Sequence, residues 1–197
     1  VTLPAFDVTF SSEKVESEQR QFPLIVYKDI TYVPMTYFDC RYLGLKTDWN
    51  GETRTLSIEQ TPINCAYRDY KWEWKNSKNN KASVCDFNIV VNGKTIDNSK
   101  EEYPLLTFRD VTYFPLTWRF AVDEFGWEYS FDSENGLVIK AKNYRTENVT
   151  LPNITGSVAT DGEYYYYSGE KNGKKVVYRA LVSDTKNPEV IYEMPDT

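Results

Sequence analysis

Residues 29–37 read DITYVPMTY and residues 110–118 read DVTYFPLTW, so one nine-residue phrase occurs twice, 81 positions apart. The same offset relates further stretches on both sides: Phe22-Pro23-Leu24 with Tyr103-Pro104-Leu105, Val8-Thr9-Phe10 with Ile89-Val90-Val91, and Leu56 and Ile58 with Leu137 and Ile139. Chance similarity does not keep one register over such a length. We therefore interpret roughly residues 5–59 and 86–140 as an internal duplication, and call them the first copy and the second copy.

Each copy carries the signals of short hairpins. In the second copy, Asn92-Gly93 separates two β-type runs, and Asn-Gly tolerates the positive φ of a type I′ turn. Two apolar runs around Arg109-Asp110 predict a second hairpin with a tight charged turn, and Asn135-Gly136 marks a closing hairpin. Pro115 ends the preceding strand and suits the first turn of a helix.

A short helix is predicted before the closing hairpin of each copy. It ends at Gly44 in the first copy and at Gly126 in the second, which is one residue longer here. The expected apolar face of the second helix repeats at i, i+3, i+4 and i+7: Trp118, Ala121, Val122 and Phe125. The first helix has a looser face: Tyr37, Cys40 and Leu43. Such short helices cannot stand alone, so each is expected to lie on the sheet of its own copy.

The predicted fold class is α+β. Each copy is expected to form a twisted antiparallel sheet around one short helix, and the two units stand in tandem before a C-terminal β-meander. The expected boundaries are repeat unit 1 over 1–59, an inserted hairpin or linker over 60–85, repeat unit 2 over 86–140, a linker over 141–153 and the β-meander over 154–197.

Composition excludes several classes of function. The 197 residues carry a net charge of −6, which argues against general nucleic-acid binding. The chain has no His, so mechanisms that use Ser-His-Asp, Cys-His or His-bound metals are excluded. No stretch approaches the about 20 apolar residues of a membrane span. The chain begins Val1-Thr2-Leu3-Pro4, without an initiator Met or a signal peptide, and we expect a mature or trimmed product.

The segment between the two copies holds the candidate ligand-binding residues. Tyr70, Trp72 and Trp74 alternate with Lys71 and Lys75 in a pattern typical of a strand. Aromatic faces beside cations could bind a sugar ring or an anionic wall polymer. The alternative is a solvated strand pair whose aromatic face covers the neighbouring sheet.

Two of the three cysteines are candidates for a disulfide. Cys40 aligns with Ala121 on the core face of the predicted helix, so it is interpreted as a small buried apolar residue. Cys65 and Cys85 bracket the segment between the copies and remain as the candidate pair. Closing that loop would contribute roughly 3 kcal/mol if unstrained. The alternative is that all three cysteines are reduced.

The C-terminal segment is predicted to consist of three strands. They cover residues 164–167, 176–181 and 190–192, with turns at Asn172-Gly173 and at 184–188. The spacing D-G-x-x-Y-Y, Y-R and P-x-x-I-Y is similar to one blade of bacterial propeller-like repeats of unknown function. Because a closed propeller needs about four or more blades, we expect a truncated blade or a docked meander.

The two copies resemble the copper amine oxidase N-terminal-domain-like family. The resemblance lies in V-x-V-N-G-K, T-Y-x-P-L, a short helix ending in Gly, and a closing strand pair that ends L-x-I. It implies a twisted antiparallel sheet of about five strands around one helix. It also implies an exported or surface protein of a Gram-positive bacterium. The family commonly has Arg after Pro-Leu, where this chain has Thr36 and Thr117.

The resemblance does not imply a copper enzyme. In that family copper and the Tyr-derived quinone belong to a separate catalytic domain with His ligands, and this chain has no His. Asn143-Tyr144-Arg145 lacks the acidic residue expected after a cofactor Tyr. We expect no catalytic residues, no cofactor and no metal, and the repeated phrase is expected to build the fold.

We therefore expect a non-catalytic extracytoplasmic module of a larger cell-surface protein, acting as a spacer, adaptor or binding platform. One alternative is a module that binds carbohydrate or an anionic cell-wall polymer through Tyr70, Trp72, Trp74, Lys71 and Lys75. Another is an accessory region of a longer wall hydrolase. The expected partners are a wall polymer, a carbohydrate or another surface protein, with no nucleic acid and no membrane insertion of this segment.

Overall fold

The computed structural model describes residues 1–61, 64–141, 150–161 and 163–195. Within those ranges the strands are β1 Val8–Phe10, β2 Glu13–Lys14, β3 Ile25–Tyr27, β4 Ile30–Pro34, β5 Leu45–Asn50, β6 Thr55–Gln60, β7 Ser83–Val84, β8 Asn88–Val91, β9 Lys94–Ile96, β10 Leu106–Phe108, β11 Val111–Pro115, β12 Glu128–Asp132, β13 Gly136–Lys140, β14 Ile154–Thr160, β15 Tyr164–Lys171, β16 Lys174–Leu181 and β17 Asp184–Glu193. The helical elements are α1 Tyr37–Tyr42, a π-helical turn Arg119–Glu124, and 3-10 turns Ser17–Gln19 and Asn98–Lys100.

The repeated phrase forms the middle of a five-stranded sheet with the order β3-β4-β11-β10-β7. Strands β4 and β11 are the two versions of the phrase, and they pair antiparallel with each other. Val33 lies opposite Phe114, and these two residues are themselves 81 positions apart. The pairing pattern is therefore symmetric under exchange of the two copies, and the phrase forms the seam between them.

Two further sheets each combine strands from both copies. One has the order β12-β13-β1-β2 and the other β5-β6-β8-β9. In the first sheet β1 runs parallel to β13, and in the second β6 runs parallel to β8. The expected layout, with a separate antiparallel sheet for each copy, is therefore wrong. A two-stranded hairpin is marginally stable alone, and here the opening hairpin of each copy completes its sheet with the closing hairpin of the other copy.

The segment between the copies is the crossover that this arrangement needs. Parallel neighbours such as β6 and β8 require a connection of a dozen or more residues, and residues 61–87 supply it. We call residues 64–82 the strap. The predicted hairpin is absent from its described residues, because the strap backbone bonds to other parts of the fold, as in the isolated bridge between Lys71 and Arg20.

One hydrophobic core is shared by the two copies. Val8 and Phe10 of β1 are buried in the same cluster as Leu137 and Ile139 of β13. The Trp127 indole N–H donates to the Leu43 carbonyl oxygen at 2.8 Å, which joins the ends of the two helical segments. The duplicated region is therefore held together by contacts between the copies.

The helical segment of the second copy is one residue longer than that of the first, and the two segments have different helical geometry. The Thr36 hydroxyl caps α1 by accepting from the Asp39 N–H at 3.2 Å. In the second copy the additional residue produces a π-helical turn. Of the predicted apolar face, Ala121 and Phe125 are buried and Val122 packs against the core, but Trp118 is 65% exposed and Phe120 is buried as well. Tyr37, which occupies the place of Trp118 in the first copy, is also exposed.

The C-terminal part is a four-stranded antiparallel sheet with the order β14-β15-β16-β17. The run of four tyrosines begins β15, where Tyr165 and Tyr167 are buried. Tyr167 stacks on Tyr178 of β16 with ring centroids 5.3 Å apart. The last turn lies at residues 182–183, before the predicted position, and β17 is one long irregular strand. Most of the predicted linker 141–153 lies outside the described residues.

Candidate functional site

The strap carries the predicted ligand-binding residues, but it does not present them as one surface. Tyr70 and Trp72 are half-buried, whereas Trp74 is 71% exposed. Lys71 and Lys75 are exposed, and Lys75 lies 3.4 Å from the Glu18 carboxylate. Ligand binding by these five residues stays a prediction.

Tyr70 joins the strap to helix α1. Its hydroxyl oxygen accepts a hydrogen bond from the Phe38 N–H at 3.2 Å. Its ring packs against Phe22 and Phe38, with centroid distances of 5.2 and 5.6 Å. The ring face is therefore occupied by the fold itself.

Trp72 joins the strap to the repeated turn of the second copy. The Arg109 guanidinium carbon lies 4.3 Å from the centre of the Trp72 ring and 4.8 Å from that of Phe108. Arg109 also donates to the Gln21 carbonyl oxygen and, at 2.7 Å, to Asn76 Oδ1. A cation held between two aromatic rings stabilises the strap, and its pairing leaves little of Trp72 for a ligand.

A buried charge cluster lies beneath the strap. Arg20 is 0% exposed, and its guanidinium pairs with the buried carboxylate of Asp39 and, at 3.2 Å, with Asp69 of the strap. The Thr36 hydroxyl donates to Asp39 Oδ2 at 2.6 Å, and the Tyr67 hydroxyl donates to Asp69 at 3.3 Å. The strap thus completes the neutralisation of a buried cation, and we interpret the cluster as a structural latch.

Burial dominates the acid–base properties of this cluster. It raises the pKa of the Asp39 carboxyl, while the Arg20 charge and the Thr36 hydrogen bond act in the opposite direction. Burial also raises the pKa of Tyr67. Because the carboxylates already bind Arg20 and water has little access, the cluster offers no open position for a substrate.

The three cysteines are free thiols, so the predicted Cys65–Cys85 bridge is not formed in the structure. Cys85 is buried beside β10, where its sulfur lies 3.2 Å from the Thr107 hydroxyl. Cys65 is anchored near α1, because its N–H donates to the Arg41 carbonyl oxygen at 3.2 Å. The two cysteines are thus held at different elements, and burial raises the pKa of the Cys85 thiol.

A groove of about 700 Å³ opens beside the edge strand β7. Trp49 and Phe87 form one wall, with their rings edge to face and centroids 5.3 Å apart. Thr107, Thr112 and Val84 also line the groove. Its volume is in the range of small-molecule sites. Sequence reasoning missed this groove because its walls come from both copies, and no local pattern indicates that they meet.

The aromatic pair at the groove has a counterpart in the other half of the fold. Phe6 and Phe131, which correspond to Phe87 and Trp49 by the repeat, also pack edge to face, with centroids 5.0 Å apart. The aromatic pair is therefore a repeated feature of the fold. It is explained by exchange of hairpins, in which the opening hairpin of each copy packs beside the closing hairpin of the other.

Residues 11–140 match the model of the copper amine oxidase N-terminal domain family. The chain belongs to this family. The N-terminal domain of copper amine oxidases is a non-catalytic accessory domain. Comparisons with curated proteins and with solved structures found no match.

The copper amine oxidase N-terminal domain of this chain includes the strap, the seam and all strands from β2 to β13. Its described residues contain no group of three or more His, Cys, Asp or Glu that could hold a metal ion. Within the described ranges no helix is long and apolar enough to cross a membrane. Thr36 caps α1 and contacts Asp39.

Proposed function

We propose that the protein is a non-catalytic extracytoplasmic module of a larger cell-surface protein, acting as a spacer, an adaptor or a binding platform. The observation that carries this proposal is the family match over residues 11–140, because the corresponding domain of copper amine oxidases is an accessory domain. The interlocked strands also suit such a role, since a spacer must keep its shape between the parts that it connects.

Surface labelling of the cells that make the protein tests the proposed location. Intact cells would be treated with a reagent that does not cross the membrane and reacts with lysine, and exposed lysines such as Lys71 would report the reaction. We expect labelling of this protein and none of an abundant cytoplasmic enzyme in the same sample. Recovery of the protein only in the unlabelled cytoplasmic fraction would contradict the proposal.

A second candidate is binding of a carbohydrate or an anionic wall polymer by the strap. One observation favours it: Trp74 is 71% exposed and lies between the exposed residues Lys71 and Lys75. An exposed indole beside cations can stack on a sugar ring and attract a polyanion. Of the three predicted aromatic residues, only Trp74 keeps its ring available, so the proposed site is smaller than the sequence indicated.

Retention on purified cell wall tests this second candidate. Replacing Trp74 with Ala is expected to reduce retention by roughly tenfold if the indole supplies about 1.4 kcal/mol of stacking. Trp118→Ala is the matched control, because Trp118 is similarly exposed at 65% but lies outside the strap. Equal retention of the two variants and the parent protein would exclude the strap as the binding surface.

A further inference from the structure

The first and last strands of the duplicated region are direct neighbours. Strand β1 follows the N-terminal residues, and β13 is the last strand before the chain leaves for the C-terminal sheet. They run parallel, with Val8 opposite Leu137 and Phe10 opposite Ile139. Two hydrogen bonds flank this pairing: Leu137 N–H to the Asp7 carbonyl at 2.8 Å, and Ser11 N–H to the Ile139 carbonyl at 2.6 Å.

From this geometry we infer a further function: the duplicated region is a mechanical clamp that resists force applied through the chain ends. Tension from the N-terminus pulls β1 backward along its axis, and tension from the C-terminus pulls β13 forward. Because the two strands are parallel, these pulls are opposite and lie along the strand direction. The hydrogen bonds between them are then loaded together in shear, and they must break almost simultaneously.

The side chains of the clamp add to its resistance. Val8, Phe10, Leu137 and Ile139 are all buried in the shared core, so sliding β1 along β13 also moves apolar side chains out of fitted positions. The backbone at the start of β13 lies very close to the backbone of Asp7, the residue before β1. A Cβ built on Gly136 would lie 2.2 Å from the Asp7 carbonyl oxygen, so this contact requires glycine.

The C-terminal sheet has the opposite mechanical design. Its first and last strands, β14 and β17, lie at opposite edges and do not pair with each other. Force at the chain ends pulls each edge strand away from its antiparallel neighbour at the open end of a hairpin. The hydrogen bonds then break one after another. This sheet is therefore expected to open at low force, before the clamp.

Single-molecule force spectroscopy on the full chain tests the inference. With handles at residues 1 and 197, we expect two unfolding events. The low-force event releases residues 154–193, about 140 Å of chain, and the high-force event releases residues 8–140, about 450 Å. A large event at a force no higher than the small one would overturn the inference.

A change of pulling direction is the matched control, because it leaves the folded protein unchanged. One handle stays at residue 1, and the other is attached through Glu134→Cys in the exposed turn before β13. Force then acts at the same end of both strands and peels them apart. With Cys65→Ser to remove the half-buried thiol, we expect the large event at a clearly lower force than with handles at residues 1 and 197. Equal forces in the two directions would overturn the inference.

Two glycine substitutions give a second readout. Gly136→Ala places a methyl group against the Asp7 carbonyl, whereas Gly93→Ala has nothing within 4 Å; both glycines have similar positive φ values, +68° and +77°. We expect Gly136→Ala to lower the force of the large event and Gly93→Ala to leave it nearly unchanged. Equal reductions would contradict the assignment of the clamp to β1 and β13. The force test on purified protein is independent of the surface labelling that tests the proposed location.

Discussion

Among single residues, Arg20 has the largest predicted effect on stability. It is fully buried and paired with Asp39 and Asp69. Replacing it with Ala leaves the buried Asp39 carboxylate without its cation, and we expect a loss of about 3–5 kcal/mol in the free energy of unfolding. Denaturant unfolding would measure this loss.

The ion pair between Arg54 and Asp86 provides the control for Arg20. Both of its side chains are largely exposed. Arg54→Ala is therefore expected to change the free energy of unfolding by no more than about 1 kcal/mol. Similar losses for the two variants would contradict the latch interpretation of the buried cluster.

Buried tyrosines predict how stability changes in alkali. Burial raises the pKa of Tyr32, Tyr67 and Tyr113 above the ordinary value near 10. In the unfolded chain these groups release protons near pH 10, whereas in the folded protein they do not. The unfolded state then binds fewer protons, so stability is present below about pH 10 and is lost as the pH rises above it.

Absorbance at the phenolate band would show this loss. We expect part of the tyrosine signal to stay absent until the protein unfolds, and then to appear together with the loss of β-sheet circular dichroism. Replacing Tyr113 with Phe should shift this transition to higher pH. Smooth titration of all tyrosines near their ordinary pKa, with the fold intact, would contradict the predicted burial.

Single residues also show what could be read from the sequence. The tight charged turn predicted at Arg109-Asp110 is confirmed, since both residues have positive φ and Phe108 pairs with Val111. Asn92-Gly93 likewise joins β8 to β9. Such turns depend on a few adjacent residues. The role of Arg20 could not be read in this way, because its partners lie 19 and 49 positions away.

Among the elements, hairpins were predictable and their sheet partners were not. The signals that form β5–β6 or β12–β13 are local, but the choice of β8 or β1 as the next neighbour depends on the whole core. The alternation of aromatic and charged residues in the strap predicted a hairpin strand, and this prediction failed for a related reason. Tyr70 and Trp72 do point inward, yet the strap bonds to surrounding segments and does not form a strand ladder with itself.

Exchange of hairpins predicts that neither half is stable alone. In residues 1–61, β1–β2 lacks β13 and β5–β6 lacks β8, so each sheet would be reduced to a hairpin. We expect this fragment, and residues 62–141 alone, to show no cooperative thermal unfolding by circular dichroism. An equimolar mixture should recover it. Cooperative unfolding of residues 1–61 alone would contradict the exchanged arrangement.

For the molecule as a whole, the family match and the topology support one description. The duplicated part belongs to the copper amine oxidase N-terminal domain family, and its chain ends leave from two adjacent parallel strands. The core that encloses them includes residues from both copies. The repeated stretches of sequence predict two copies, but only long-range packing decides that strands from both share the same sheets. The exchange of hairpins between the two copies therefore defines the fold of the duplicated region.

Disulfide trapping tests this exchange of hairpins. Thr9 and Val138 are paired across β1 and β13 on the half-exposed side of the sheet. Neighbouring strands bring paired Cα atoms within the about 4.4–6.8 Å that a disulfide spans. In a Cys65→Ser background, we expect Thr9→Cys/Val138→Cys to form an intramolecular bridge on mild oxidation, detected by mass spectrometry of the monomer. Thr9→Cys/Ser57→Cys, which would be paired if each copy kept its own hairpins, should stay reduced. A bridge in the second variant and none in the first would contradict the pairing of β1 with β13.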